Sequence, residues 1–350
     1  MLNTQSGDSS IIVDDPWIVD EQDFPSSGSL AEQLTFLLNY AVLAPSGHNT
    51  QPWLFRVGSS QVDVFADRSR ALAVVDPEDR ELVMSCAAAA FHLKAALAHY
   101  ERVTEIMKLP DPGDPDLLLR VEVTGSREPT LTDHRLFMAI QKRHTNRQSF
   151  EDRPIPEIEL SSMKDAAADE GVRLDLFTES TPKMNLGRII AAADRIQGRN
   201  SHFRRELAAW VRTNTSRRKD GIPGYAVGVG DLMSFMGPLV VRTFDWGGGQ
   251  AAKNEQLALG SPVLAVFSTE RDDVESWLSA GLALDHVLLL AADYAIQASH
   301  LNQPLEVERL RSRVSALLPD GGFPQIILRM GYGDLSRPTP RRPVAEVLLD

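Results

Sequence analysis

Three short strings carry most of the side chains able to do chemistry. The first is Ala44-Pro45-Ser46-Gly47-His48-Asn49-Thr50-Gln51-Pro52-Trp53. It follows a stretch of helical periodicity and precedes one that reads as a strand. Pro45 and Pro52 stiffen it, while Ser46, Asn49 and Gln51 offer a hydroxyl and two amides at a tight turn. Such groups suit the nitrogen and oxygen edge atoms of a flat heterocycle. They equally suit a capped turn that satisfies its own backbone.

The second string is Lys142-Arg143-His144-Thr145-Asn146-Arg147-Gln148-Ser149-Phe150, followed by Asp152-Arg153-Pro154-Ile155-Pro156. Clustered cations beside a hydroxyl and an amide make a phosphate cradle, because arginine supplies forked donors and threonine a short one. A solvated basic turn has the same composition. The third is Gly331-Tyr332-Gly333, then Arg337-Pro338-Thr339-Pro340-Arg341-Arg342-Pro343. Its prolines hold the tail extended, so that Arg341 and Arg342 can reach a second face of the same phosphate. Alone it also fits a solvated tail.

Charge placement points the same way. No Lys or Arg precedes Arg56, whereas seven acids do: Asp8, Asp14, Asp15, Asp20, Glu21, Asp23 and Glu32. Arg329, Arg337, Arg341 and Arg342 gather at the other end. An anion site is therefore expected late in the chain.

The elements that must position these strings follow from periodicity and breakers. Residues 1–29 read as an acidic arm and 30–44 as a helix. Segments 53–57 and 61–66 form a hairpin, followed by an Ala-rich helix at 78–100 and a strand at 117–123. Helix 133–142 leads into the basic string. Then come helix 157–170, strand 172–178 and a largely helical stretch at 183–212. The Gly-rich segment 213–260 is long for a plain loop and reads as a lid or an insertion. A strand at 262–268, helices at 274–300 and 304–318, and a strand at 324–330 complete the chain.

A repeat underlies this order. Without gaps, SCAAAAFHLKAALAHY (85–100) lies over SAGLALDHVLLLAADY (279–294), matching Ser85 with Ser279, Ala89 with Ala283, His92 with His286, Ala98 with Ala292 and Tyr100 with Tyr294. A Val-Phe strand lies upstream of each copy, and a Pro-Asp followed by an apolar strand lies downstream. The pattern predicts two α+β halves. His92 and His286 then read as packing residues and Cys86 as a small buried thiol.

Taken together, the strings resemble the nitroreductase superfamily of FMN flavoproteins, and within it the fused single-chain Acg-type branch, from about residue 30 to 350. The resemblance implies an α+β, nitroreductase-like fold of two tandem halves, 30–135 and 136–350. These would form an intramolecular pseudo-dimer of antiparallel-rich mixed sheets flanked by helices. In ordinary members two subunits share two FMN sites, one subunit giving the phosphate cradle and the other the Pro-Ser turn. Here the turn lies in the first half and the cradle opens the second, and neither half keeps the other's string. The expectation is one composite FMN site per chain, with its pseudo-symmetric mate vestigial.

By that resemblance Arg143, His144, Thr145 and Arg147 would hold the FMN phosphate and ribityl chain, with Arg341 or Arg342 adding to them. Pro45, Ser46, Gly47, Asn49 and Gln51 would meet the ring. A backbone amide near His300–Asn302, taken as that of Leu301, would bond flavin N5. NADH or NADPH would reduce the flavin, and a nitroaromatic or quinone-like small molecule would reoxidise it. No catalytic side chain is required, and no histidine spacing suggests a metal. The alternative is an FMN-sequestering protein in which 213–260 covers the ring, its apolar run 232–239 lying on it.

Composition bounds the rest. The chain has 350 residues, one Cys, 43% hydrophobic residues and a net charge of −12. That balance disfavours a general grip on nucleic acid or anionic membrane. A lone Cys excludes an intrachain disulfide. No uninterrupted apolar run nears the ~20 residues of a membrane span, and the first residues lack the form of a secretory signal. The expectation is a soluble cytoplasmic protein, a monomer because its pairing interface is internal.

Overall fold

The computed structural model describes residues 15–245 and 247–350. Most of the acidic arm, residues 1–14, and Trp246 of the 213–260 segment lie outside the described residues.

In the first half, α1 (Leu30–Ala41) starts at a reciprocal Ser29–Glu32 capping box and buries Leu34, Leu37, Leu38 and Ala41, one face of a 3.6-residue period. The hairpin β1 (Trp53–Val57) and β2 (Gln61–Ala66) follows, then α2 (Arg80–His99), β3 (Arg102–Lys108), β4 (Leu117–Ser126) and α3 (Leu131–Ile140). The second half runs α4 (Glu157–Asp169), β5 (Arg173–Phe177), α5 (Ser180–Arg199) and α6 (Ser201–Trp210). A two-stranded parallel pair, β6 (Val211–Arg212) and β7 (Ile222–Pro223), leads to α7 (Asp231–Ser234), α8 (Gly237–Thr243) and α9 (Gly247–Leu259). The chain closes with β8 (Val263–Thr269), α10 (Val274–Asp293), β9 (Gln297–His300), α11 (Glu308–Ser315) and β10 (Phe323–Gly331).

The halves share one topology. Their sheets run β1-β2-β4-β3 and β5-β8-β10-β9. Every neighbouring pair is antiparallel. In each sheet the long helix falls between the second and third strands. These helices, α2 and α10, pack against each other as the centre of the molecule. Both are apolar and long enough to cross a membrane, yet 83% and 72% of their apolar windows are buried inside the protein.

The contacts between them obey the repeat. Phe91 stacks on His286 at 4.7 Å, while His92 Nδ1 pairs with Asp285 Oδ2. The repeat exchanges 91 with 285 and 92 with 286, so these are one contact and its pseudo-symmetric mate. Gly281 and its counterpart Ala87 also meet directly, which places them on the pseudo-two-fold axis.

Four strands were not expected: the short pair β6 and β7, and the counterparts β3 and β9. β3 and β9 are both sheet edges lying directly after the long helix. The helix expected to run to 300 ends at Asp293, where Ala295 adopts a φ of +58°. β9 reads Gln-Ala-Ser-His, with no β-branched residue, and owes its strand form to pairing with β10. The 213–260 segment, expected as a lid or an insertion, carries helices of its own, of which α9 packs along α5. The C-terminal tail then crosses back to the first half. Phe55 N–H donates to Val347 O and Leu349 N–H to Phe55 O, both at 2.7 Å, adding the tail beside β1.

A Cβ on Gly281 would stand 2.3 Å from Met84 O and 2.7 Å from Ala87 Cβ. Gly281→Ala should therefore push the halves apart and lower urea-unfolding stability by about 1–3 kcal/mol. An unchanged midpoint would show that this crossing is loose.

Candidate functional site

Four elements of opposite halves converge on one cavity of about 360 Å3. That is the size of a small-molecule site. Its first wall is the Pro-Ser turn. His48, Asn49 and Gln51 have φ of +49°, +55° and +53°. Such left-handed residues cost about 1–2 kcal/mol each. Local bonds offset that strain: Gln51 N–H donates to Ser46 Oγ at 2.9 Å and Asn49 N–H to Ser46 O at 3.0 Å. Pro45, Ser46, Gly47, His48 and Asn49 all line the cavity.

The second wall is the basic string. It runs beside β9 as an added edge: Thr145 bridges Ala298, and Asn146 N–H donates to Ala298 O at 2.9 Å. Arg143, His144, Thr145 and Arg147 all reach the cavity. Arg329, on β10, joins them at 1% exposure, its Nη2 donating to Asn146 O at 2.9 Å. Arg341 comes from the tail. Its Nη2 and that of Arg143 both donate to Leu43 O, at 3.2 and 2.9 Å. That carbonyl lies just past the end of α1, where the helix dipole is negative.

Arg143, Arg147, Arg329 and Arg341 thus bring four guanidiniums to one wall. Among the described residues none of them makes an ion pair. Nε of Arg143, Nε and Nη1 of Arg329 and Nε of Arg341 are buried without a hydrogen-bond partner. Burial pushes Arg143 and Arg329 down to about 10 and lowers Arg147 and Arg341 as well. The same burial, beside these cations, holds the histidines neutral: His144 and His300 fall to about 3, and His48 to about 4. Uncompensated buried charge is expensive unless a ligand completes it. The wall is built for an anion that accepts several hydrogen bonds.

Three expected residues behave differently. Gln51 does not line the cavity: it is fully buried, donating to Lys219 O at 2.8 Å and accepting from Arg342 N–H at 2.7 Å. Arg342 faces away too. It donates to Gln51 O at 3.1 Å and pairs with Asp67 at 3.5 Å, fastening the tail rather than an anion. Leu301 lines the cavity, but its N–H is donated to Ile327 O at 2.9 Å and is not free for a ring nitrogen. The sequence pointed to Arg329, in the apolar strand Ile326-Ile327-Leu328-Arg329-Met330, only as one of the late cations and gave it no role; three carboxyls on another part of the wall, Glu81, Asp194 and Glu306, were missed. Arg329 had a sequence signal in that context; the carboxyls had none.

The 213–260 segment contributes Gly221, Ile222 and Val227 to the cavity, and from α9 Gln250, Lys253, Asn254 and Leu257. Asn49 Nδ2 donates to Gly221 O at 2.9 Å and to Pro340 O at 3.0 Å, fastening that segment and the tail to the Pro-Ser turn. Among the described side chains, none of 233–239 lines the cavity. Met233 of α7 and Phe235 just after it are 63% and 57% exposed.

A second, smaller pocket of about 170 Å3 is lined by Gly171, Thr269, Glu270, Arg271, Glu275, Ser276 and Ser279. The repeat, extended by one turn, pairs Glu275 with Glu81 and Ser279 with Ser85, both of which line the large cavity. The small pocket is therefore its pseudo-symmetric mate. Lys108 Nζ donates to Ser279 Oγ there at 2.6 Å, and Arg271 is already paired with Asp273 and Glu275.

Replacing the lone buried charge of β10, as in Arg329→Met, should raise ligand-free stability by about 1–3 kcal/mol in urea unfolding, because no partner is orphaned except Asn146 O. A loss of stability would show that the charge is already compensated.

No family model matches the chain. A Mycobacterium tuberculosis (strain H37Rv) protein, Rv3131, provisionally named an NAD(P)H nitroreductase, is 31% identical over 325 residues, 91% of each chain. The protein acg of the same organism, with the same provisional name, is 27% identical over 317 residues, covering 88% of this chain and 92% of that one. Among solved structures, a Bacteroides fragilis nitroreductase with bound FMN matches 59% of this chain and 93% of its own at 13% identity and a TM-score of 0.37. The chain belongs to the nitroreductase superfamily, in its Acg-type branch.

Proposed function

We propose that the chain binds FMN in the large cavity and acts as an NAD(P)H-dependent oxidoreductase of nitroreductase type, reducing nitroaromatic or quinone-like acceptors. The observation that carries this reading is the wall of four guanidiniums, three of which, Arg143, Arg329 and Arg341, are buried with unpartnered N–H groups. A phosphate dianion offers three acceptor oxygens, which fits that donor set. Arg143, Arg147, Arg329 and Arg341 would hold the phosphate, with His144 and Thr145 beside the ribityl chain. Pro45, Ser46, Gly47 and Asn49 would close on the ring from the first half. Bound FMN would supply the two-electron redox chemistry, and the protein its placement and electrostatics. The names of the mycobacterial relatives support the same class of reaction.

Both walls come from one chain, so no second copy is needed to complete the site. The constricted mate pocket, with its cations already engaged, supports a single FMN per chain.

A second reading is a flavin kept covered, with little turnover. The bonds from Asn49 to Gly221 and from Gln51 to Lys219 favour it, because they hold the 213–260 segment against the cavity.

Two measurements test the proposal. Arg143→Ala with Arg147→Ala should weaken FMN binding about 100-fold or more, since each charge-assisted bond contributes roughly 1.5–3 kcal/mol. Unchanged retention removes the phosphate assignment. Stopped-flow mixing of the FMN-loaded protein with NADPH should bleach the flavin rapidly. Absence of bleaching over minutes assigns the chain to the covered reading.

A further inference from the structure

The carboxyl-bearing part of the cavity wall has no place in the phosphate assignment. Glu81 stands in the first turn of α2, Asp194 on α5, and Glu306 in the loop between β9 and α11. Their partners are not the four guanidiniums of the anion wall. Glu81 accepts from Asn302 Nδ2 at 3.1 Å and lies 3.4 Å from Arg80, while Glu306 accepts from Gln197 Nε2. Asp194 accepts from Asn254 Nδ2 at 3.0 Å. The charged groups facing Glu81 and Glu306 are Arg80 from α2 and Asp76 ahead of it, and Lys253 of α9 lines the same cavity. Arg80 is itself committed to Gln325 across the interface of the halves. One arginine thus serves a group of carboxyls too large for it.

We propose that Glu306, backed by Glu81, donates to the acceptor the proton that must accompany hydride in its two-electron reduction. This inference rests on the reductase reading. The acceptor gains a hydride that originates in the nicotinamide, and with it one new bond to hydrogen. A second bond forms to the carboxyl proton, the Glu306 O–H bond breaks, and solvent re-protonates the carboxylate. A quinone becomes a hydroquinone; a nitro group becomes a nitroso group and water. Burial and neighbouring Glu81 hold the Glu306 carboxyl neutral well above the usual range, and burial pushes Glu81 up to about 7. Both therefore keep a proton available near neutral pH. After transfer, the Gln197 amide and Arg80 stabilise the carboxylate.

Two experiments separate failure of this inference from failure of the reductase reading. Infrared spectroscopy of the FMN-free protein at pH 7 should show the C=O stretch of a protonated carboxyl that Glu306→Gln removes. A band unaltered by that substitution overturns the proposal. In stopped flow, Glu306→Gln should leave FMN affinity and NADPH bleaching within about twofold of wild type, yet slow reoxidation by a quinone about 100-fold. Wild-type reoxidation should fall as pH rises and the carboxyl is lost, and the variant should lose that dependence. Glu306→Asp should restore both rate and pH profile in part. Wild-type reoxidation kinetics in Glu306→Gln overturn the proton-donor role alone. Wild-type protein that takes up no FMN overturns the reductase reading and this role with it.

Discussion

The structure depends on four guanidiniums held in the interior without carboxylate partners. Buried charge of this kind is tolerated only where a fixed geometry over-determines it. Here the Leu43 carbonyl at the end of α1 receives both Arg143 and Arg341, and Asn146 O receives Arg329. The first half thus holds two of the second half's cations, Arg143 and Arg341. The strained Pro-Ser turn, the tail that recrosses to β1 and the edge pairing of residues 145–146 with β9 all serve that arrangement. None of them would be needed in a protein with an ordinary charge-paired core.

Duplication supplies the scaffold, and divergence supplies the site. The two sheets repeat one strand order, and the α2–α10 interface repeats its contacts about a pseudo-two-fold axis. The chemistry on that axis has nevertheless diverged: an aromatic stack on one side answers a His–Asp pair on the other. The two pockets diverge further. One assembles cations from the basic string and the tail; the other is small, with Lys108 donating into it and Arg271 paired with acids. A symmetric pair of sites has given way to one elaborated site.

Much of this was legible in the sequence because the strings are local. The Pro-Ser turn and the basic string each lie within ten residues, and the repeat aligns without gaps, so order alone places them in opposite halves. What escaped was set by tertiary pairing. β9 carries no strand propensity and exists because β10 offers it an edge. Gln51 and Arg342 have the right types, but they bond each other and the backbone instead of the cavity. Leu301 N–H has the right location, yet β10 takes it. Glu81 and Glu306 are far apart in sequence and follow no motif, so only the fold reveals that they share a wall. Composition makes the apolar run 232–239 a candidate cover, but the parts of that segment that reach the cavity are 221–227 and α9.

The central claim is that the arginine wall selects a phosphate. Calorimetric titration of the FMN-free chain with FMN and with riboflavin, which lacks only the phosphate, tests it most directly. The account predicts one FMN per chain, with riboflavin about 100-fold weaker or worse. Equal affinity for the two, or two FMN per chain, would contradict it.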